Sequence, residues 1–136
     1  MDSLSVEKAR ELSPLTLAFY GDSVYETLIR RKIVEKGSAP SHKLHAQSVA
    51  MARAGFQARA AELIQPTLTE QEADILRRGR NASGATVPRS SNPKDYRLAT
   101  ALEALFGFLS LTGNEARAEE LFEVIYNEKQ RQDAQG

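Results

Sequence analysis

The sequence predicts an all-α fold, a helical bundle, on three observations. Apolar residues recur at helical rather than alternating spacing along the chain, and no segment reads as a strand. Helix start and stop signals follow one another at intervals suited to a bundle. The segment from Leu98 to Leu111 (LATALEALFGFLSL) is apolar on nearly every face, as expected of a helix at the centre. The 136 residues fit one domain over 1–136, long enough to bury a core without cross-links.

Each element has its own signal. Ser3 is expected to cap a short helix running to about Leu12. Ser13-Pro14 starts a second one: a capping hydroxyl, then a proline whose missing N–H costs nothing there. That helix should run to Lys36 and stop at Gly37. Pro40-Ser41 opens the next with Ser41 as cap, bending near Gly55 and continuing to Ile64. Thr69 with Glu72 forms a capping box, so a helix begins at Glu70 and ends near Arg80. Residues Asn81 to Ser91, rich in Ser, Gly and Pro, read as a flexible loop. Asn92-Pro93 repeats the cap-plus-proline start of a helix that reaches Thr112 and stops at Gly113. Asn114 is expected to cap a last amphipathic helix bearing Leu121, Phe122, Val124 and Ile125.

Composition narrows the function. There is no cysteine, which excludes disulfides and thiolate metal sites. The charged N-terminus lacks the apolar run of a signal peptide, and no stretch suits a bilayer, so a cytoplasmic location and no membrane partner are expected. The net charge is zero, but unevenly spread. Between Arg77 and Arg97 six cations face one anion, Asp95, whereas Glu115 to Glu128 holds five glutamates against Arg117. The first segment is a candidate phosphate contact; a solvated surface is the competing reading.

Two helices carry anomalies. The helix from Pro14 has an apolar stripe of Leu15, Ala18, Phe19, Ile29 and Ile33, and helical spacing puts Asp22 and Glu26 on the same stripe. Gly21 lies mid-helix, where glycine costs about 1 kcal/mol relative to alanine, which suggests close approach of another backbone. The apolar helix from Pro93 holds one ionisable residue in its core stretch, Glu103, with Gly107 one turn on. A carboxylate in apolar surroundings must be paired, protonated or metal-bound. Two helices with small residues could bring Asp22 and Glu103 together, and adjacent carboxylates repel unless a cation lies between them. Oxygen donors favour Mg²⁺, with Mn²⁺ as substitute. The competing reading is a structural ion pair with Arg97 or Arg30. His42 and His45 have a metal-compatible spacing but no evident third ligand.

The run Phe19-Tyr20-Gly21-Asp22-Ser23-Val24 resembles the signature helix of the ribonuclease III family, and Leu98 to Gly107 resembles its second acidic helix. Both lie in the family's order, separated by a basic glycine-containing segment in which Arg78 to Ala82 (RGRNA) resembles the short, catalytic-domain-only subclass. The chain departs from the larger family at Ala18 and Leu15, where glutamates stand, and at Thr100, where an aspartate stands. The resemblance implies a ribonuclease III-like helical domain, without a double-stranded-RNA-binding domain, forming a two-fold homodimer. It implies a Mg²⁺-dependent endonuclease with Asp22 and Glu103 as catalytic and metal-holding residues; Glu26 and Thr100 are candidates to act through water, with a surface or salt-bridged helix residue as the competing reading of Glu26. The expected RNA contacts are Arg78, Arg80, Asn81, Lys94 and Arg97, with Phe19 in the dimer interface. The implied substrate is double-stranded RNA, in maturation of precursor 23S large-subunit ribosomal RNA, cut to 5′-phosphate products with a short 3′ overhang. A non-catalytic RNA-binding module of the same fold is the alternative, and a helical protein-interaction module using the acidic last helix is a third reading.

Overall fold

The computed structural model describes residues 2–82 and 87–136. Among them are seven α-helices: α1 (Val6–Glu11), α2 (Pro14–Val34), α3 (Ser41–Ala52), α4 (Ala54–Ile64), α5 (Glu70–Ala82), α6 (Pro93–Leu111) and α7 (Glu115–Gln135). A 3₁₀ turn at Gln65–Thr67 follows α4. No strand occurs among the described residues. No helix is long and apolar enough to cross a membrane.

Helix α6 is the axis of the bundle, as its uniform apolarity requires. Its broadest contacts are with α2, α5 and α4, and it also meets α1 and α7. Every residue from Leu98 to Leu109 except Glu103 is buried. The crossing of α2 over α6 is a backbone-to-backbone contact. A Cβ on Gly21 would lie 1.6 Å from the Glu103 carbonyl oxygen, and one on Gly107 would lie 2.1 Å from that of Leu17. Both mid-helix glycines thus have the packing reason their cost implied. Beyond the crossing, Tyr25 sets its ring edge-on to Phe106 and Phe122, with centroids 5.5 and 5.6 Å apart. Its hydroxyl donates to the Met51 carbonyl at 3.3 Å, which ties α3 to α2.

Local cap signals were read correctly where the side chain does the capping. Ser13 Oγ accepts from the Leu15 N–H. Asn92 Oδ1 accepts from the Lys94 and Asp95 N–H groups. The Thr69–Glu72 box is reciprocal, at 3.0 and 3.2 Å. Gly37 and Gly113 end their helices with φ of 110° and 78°, the left-handed region glycine adopts without penalty.

Elsewhere the structure differs from expectation. Ser5, not Ser3, caps α1 by accepting from the Lys8 N–H. Pro40 takes the cap position of α3 and Ser41 is its first residue. The helix expected to bend at Gly55 is two helices, broken at Arg53, whose extended backbone (ψ 143°) is incompatible with helix. Asn114 makes no side-chain cap; its amide donates to the Thr112 hydroxyl at 2.9 Å instead. Helix α5 runs on to Ala82, into the loop expected over 81–91, of which residues 83–86 lie outside the described residues.

Helix α7 is fastened by charge as well as by Leu121, Phe122 and Ile125. Arg117 donates to both carboxylate oxygens of the buried Glu72 at 2.9 Å and to the Thr67 carbonyl. Its fork lets one cation satisfy α5 and the 3₁₀ turn together. The arginine and the Thr69 groups hold the Glu72 carboxyl below its ordinary range against the opposing effect of burial.

Candidate active site

The α2–α6 crossing that excludes side chains at Gly21 and Gly107 also places Asp22 beside Glu103. The two line an open pocket of about 670 Å³ together with Phe19, Tyr20, Glu26, Arg30, Tyr96 and Thr100, among others. Along α6, Tyr96, Thr100 and Glu103 follow at i, i+4 and i+7, one helical face.

The apolar stripe of α2 needs correction. Its buried line is Leu17, Ala18, Gly21, Tyr25, Ile29 and Ile33. Leu15 is 41% and Phe19 84% exposed. Asp22 stands on that exposed side, not within the buried stripe. Periodicity alone assigns residues to a face; which face finds a neighbour is decided by the glycine crossing.

Glu103 is partly buried, and its carboxyl is pushed up from 4.5 to about 8. The largest cause is burial, then the charge and hydrogen bond of the adjacent Asp22, opposed by a hydrogen bond from Gln57. The acids therefore share one local field, and ionising both is unfavourable without a cation. Neither takes part in an ion pair among the described residues. Arg30, one candidate for such a pair, binds Glu26 instead, its Nε donating to Oε1 at 2.8 Å.

Glu26 is further held by the Ser48 hydroxyl, which donates to the same oxygen at 2.6 Å. Burial raises the Glu26 carboxyl, but these two hydrogen bonds and the nearby positive charge outweigh it, so its net position is below the ordinary value. Thr100 is 7% exposed, and its hydroxyl donates to the Tyr96 carbonyl at 3.0 Å. No cluster of three or more His, Cys, Asp or Glu side chains able to hold a metal occurs among the described residues. His42 and His45 are exposed.

The expected RNA contacts divide. Arg80, Asn81, Lys94 and Arg97 line one pocket, with Leu98 as its floor. Arg78 lies apart from that group and donates to the Arg10 carbonyl at 3.2 Å. Gln57 was not foreseen. It is 3% exposed on α4 and hydrogen-bonds Glu103; its sequence signal is a lone amide within the apolar run of AGFQARAA.

An all-α bundle whose two central helices present paired carboxylates to an open pocket matches a known class. Residues 15–114 match the Ribonuclease III domain model. Proteins named Mini-ribonuclease 3 are similar over most of their length. That of Symbiobacterium thermophilum is 43% identical over 84% of this chain and 85% of its own. That of Staphylococcus aureus is 39% identical over 92% and 95% respectively. A crystal structure of a Fusobacterium nucleatum protein superposes with a TM-score of 0.80 at 30% identity, covering 88% of this chain and 96% of that one. The chain belongs to the ribonuclease III family, in its Mini-ribonuclease 3 group, and is a ribonuclease III-type endonuclease.

Proposed function

We propose that this endonuclease cuts double-stranded RNA with a divalent cation, Mg²⁺ or Mn²⁺, held by Asp22 and Glu103. One observation carries the reading: two carboxylates are forced together at a backbone crossing, in an open pocket, with no ion-pair partner among the described residues. The donor set fits a hard cation. Mg²⁺ characteristically takes one or two protein carboxylates and fills its shell with water and substrate phosphate oxygens, so a third acidic ligand is not required. When bound there, the cation neutralises phosphate charge and makes a nearby water acidic enough to attack.

The chain's own groups do the rest. Asp22 and Glu103 bind as carboxylates, so Glu103 gives up its proton on loading. The Gln57 amide stabilises the ionised form and fixes its rotamer. Thr100 orients water through its free lone pairs, and Glu26 is a second candidate for that task. Arg80, Asn81, Lys94 and Arg97 hold phosphates of the duplex, which is read by shape. In the net reaction one water adds to phosphorus, the bond to the ribose 3′-oxygen breaks, and the products are a 5′-phosphate and a 3′-hydroxyl. We assign the biological substrate to precursor 23S ribosomal RNA and the active form to a two-fold homodimer, on the likeness to Mini-ribonuclease 3.

Duplex and single-stranded RNA of equal length, each with and without Mg²⁺, test this. The expected result is cleavage of the duplex alone and only with the metal. Duplex bound but uncut at saturating metal would make the chain a non-catalytic RNA-binding module; no affinity for duplex would remove RNA from its function.

A further inference from the structure

We infer that Arg30 is a substrate-phosphate ligand of the acid pocket, clamped for that task by Glu26 and Ser48. The inference rests on the proposed reading of that pocket as the cleavage site. Among the residues lining the pocket, Asp22, Glu26 and Glu103 are acidic and Arg30 is the cation. A divalent cation between Asp22 and Glu103 would offset their charge and Glu26 is balanced by Arg30, so a phosphodiester strand entering there meets Arg30 as the side-chain cation of the pocket lining. The guanidinium is half-committed: Nε donates to Glu26 at 2.8 Å, and no other hydrogen bond or ion pair of Arg30 occurs among the described residues. Its two Nη groups are left with the fork that suits phosphate oxygens.

The clamp is built across two helices. Ser48 of α3 donates to the same Glu26 oxygen, so the carboxylate is tied to α3 as well as to Arg30, whose side chain is 66% exposed and accessible to an incoming phosphate. Asp22, Glu26 and Arg30 follow at i, i+4 and i+8 on α2. Eight residues span about 12 Å of helix axis, and a helical side chain leans toward the N-terminus. Arg30 thus addresses a phosphate beside the one being cut, not the cut phosphate itself. It also lines an adjoining pocket with Ser41, His45 and Ser48, which continues the surface past the acid pair.

Cleavage kinetics of a duplex across a salt series, at fixed saturating Mg²⁺, test this. Arg30→Ala is expected to raise KM, to leave kcat and the melting temperature near wild type, and to flatten the plot of log KM against log salt by about one unit, the signature of one lost phosphate contact. Arg30→Lys should restore the slope but not the KM, because the charge returns without the fork. Glu26→Ala, which removes the oxygen that accepts from Arg30 and Ser48, should raise KM with the slope intact, the arginine being present but without its partner. A wild-type slope in Arg30→Ala overturns the inference, and a wild-type KM in Glu26→Ala overturns the clamp. The wild-type reference separates the two levels: if it cuts no duplex, the proposed function falls; if it cuts and the Arg30→Ala slope is unchanged, only the role of Arg30 falls.

Discussion

Glu103 concentrates the conflict in this molecule. Its carboxyl, pushed from 4.5 to about 8 by burial and by Asp22, keeps its proton in the folded chain over a range where the unfolded chain has lost it. The folded state binds more protons there, so the contribution of Glu103 to metal-free stability falls as pH rises from about 4.5 to about 8. Denaturation in a chelator should follow that slope, and Glu103→Gln should abolish it; an equal slope in the variant would place the titrating group elsewhere. Asp22→Asn probes the other half of the pair. It keeps the side chain's shape and removes the charge a hard cation needs, so cleavage should fall by orders of magnitude while duplex binding persists. Its melting temperature without metal should hold below about pH 8, where Glu103 is protonated, and rise above it, where both acids would otherwise be charged, and the stabilisation by Mg²⁺ expected of wild type should vanish. Near-normal activity per folded molecule would end the metal-ligand assignment. The sequence made both acids conspicuous because each interrupts a helix rich in apolar residues. It could not reveal Gln57 or Ser48, which meet Glu103 and Glu26 only when α4 and α3 pack on the central pair; the Glu26–Arg30 contact, at i and i+4 on α2, is local.

At the scale of elements, the site depends on one crossing. Gly21 and Gly107 let α2 and α6 touch through their backbones, and that contact sets the distance between the acids. Gly107→Ala would place a Cβ 2.1 Å from the Leu17 carbonyl oxygen, against backbone that cannot turn aside. Overpacking costs about 1–3 kcal/mol and occasionally more; here the helices must part, so the upper end or beyond is expected. A thermal melt should show a large loss of stability, and any folded remainder should cut poorly because the acids have separated. Wild-type stability would mean that the two backbones do not meet at Gly107. Helix starts were legible at Ser13, Thr69 and Asn92 because a capping side chain acts within its own turn. The break at Arg53 and the failed cap at Asn114 were not, since the first depends on how α3 and α4 each pack and the second on Thr112 competing for the amide. For the same reason Leu15 and Phe19 read as core: their helical spacing matches Ala18 and Ile29, and only the packed bundle distinguishes the sides of α2.

At the scale of the whole molecule, the exposed side of α2 is where the proposed two-fold partner would dock. Phe19 is 84% and Leu15 41% exposed, neighbours across one turn, and both border the acid pocket. A large aromatic left in water forgoes about 1.5–3 kcal/mol of burial, and a two-fold axis passing near it would bury the residue from both chains at once. Such an axis would also set two acid pockets against one duplex, whose strands run antiparallel and therefore present equivalent phosphates to symmetry-related sites. Phe19→Glu should then sediment as a monomer, because its carboxylate would have to be desolvated in the interface. The new charge also borders the acid pocket, so loss of cleavage in that variant alone would be ambiguous. Phe19→Ala supplies the control: it adds no charge, so its dimer should weaken and its specific activity should recover as protein concentration rises. Mixing wild type with Asp22→Asn gives a further readout, since a mixed dimer holds one working pocket and should nick one strand of the duplex where wild type cuts both. If Phe19→Glu sediments as wild type does, the exposed side of α2 is not the interface and serves another purpose.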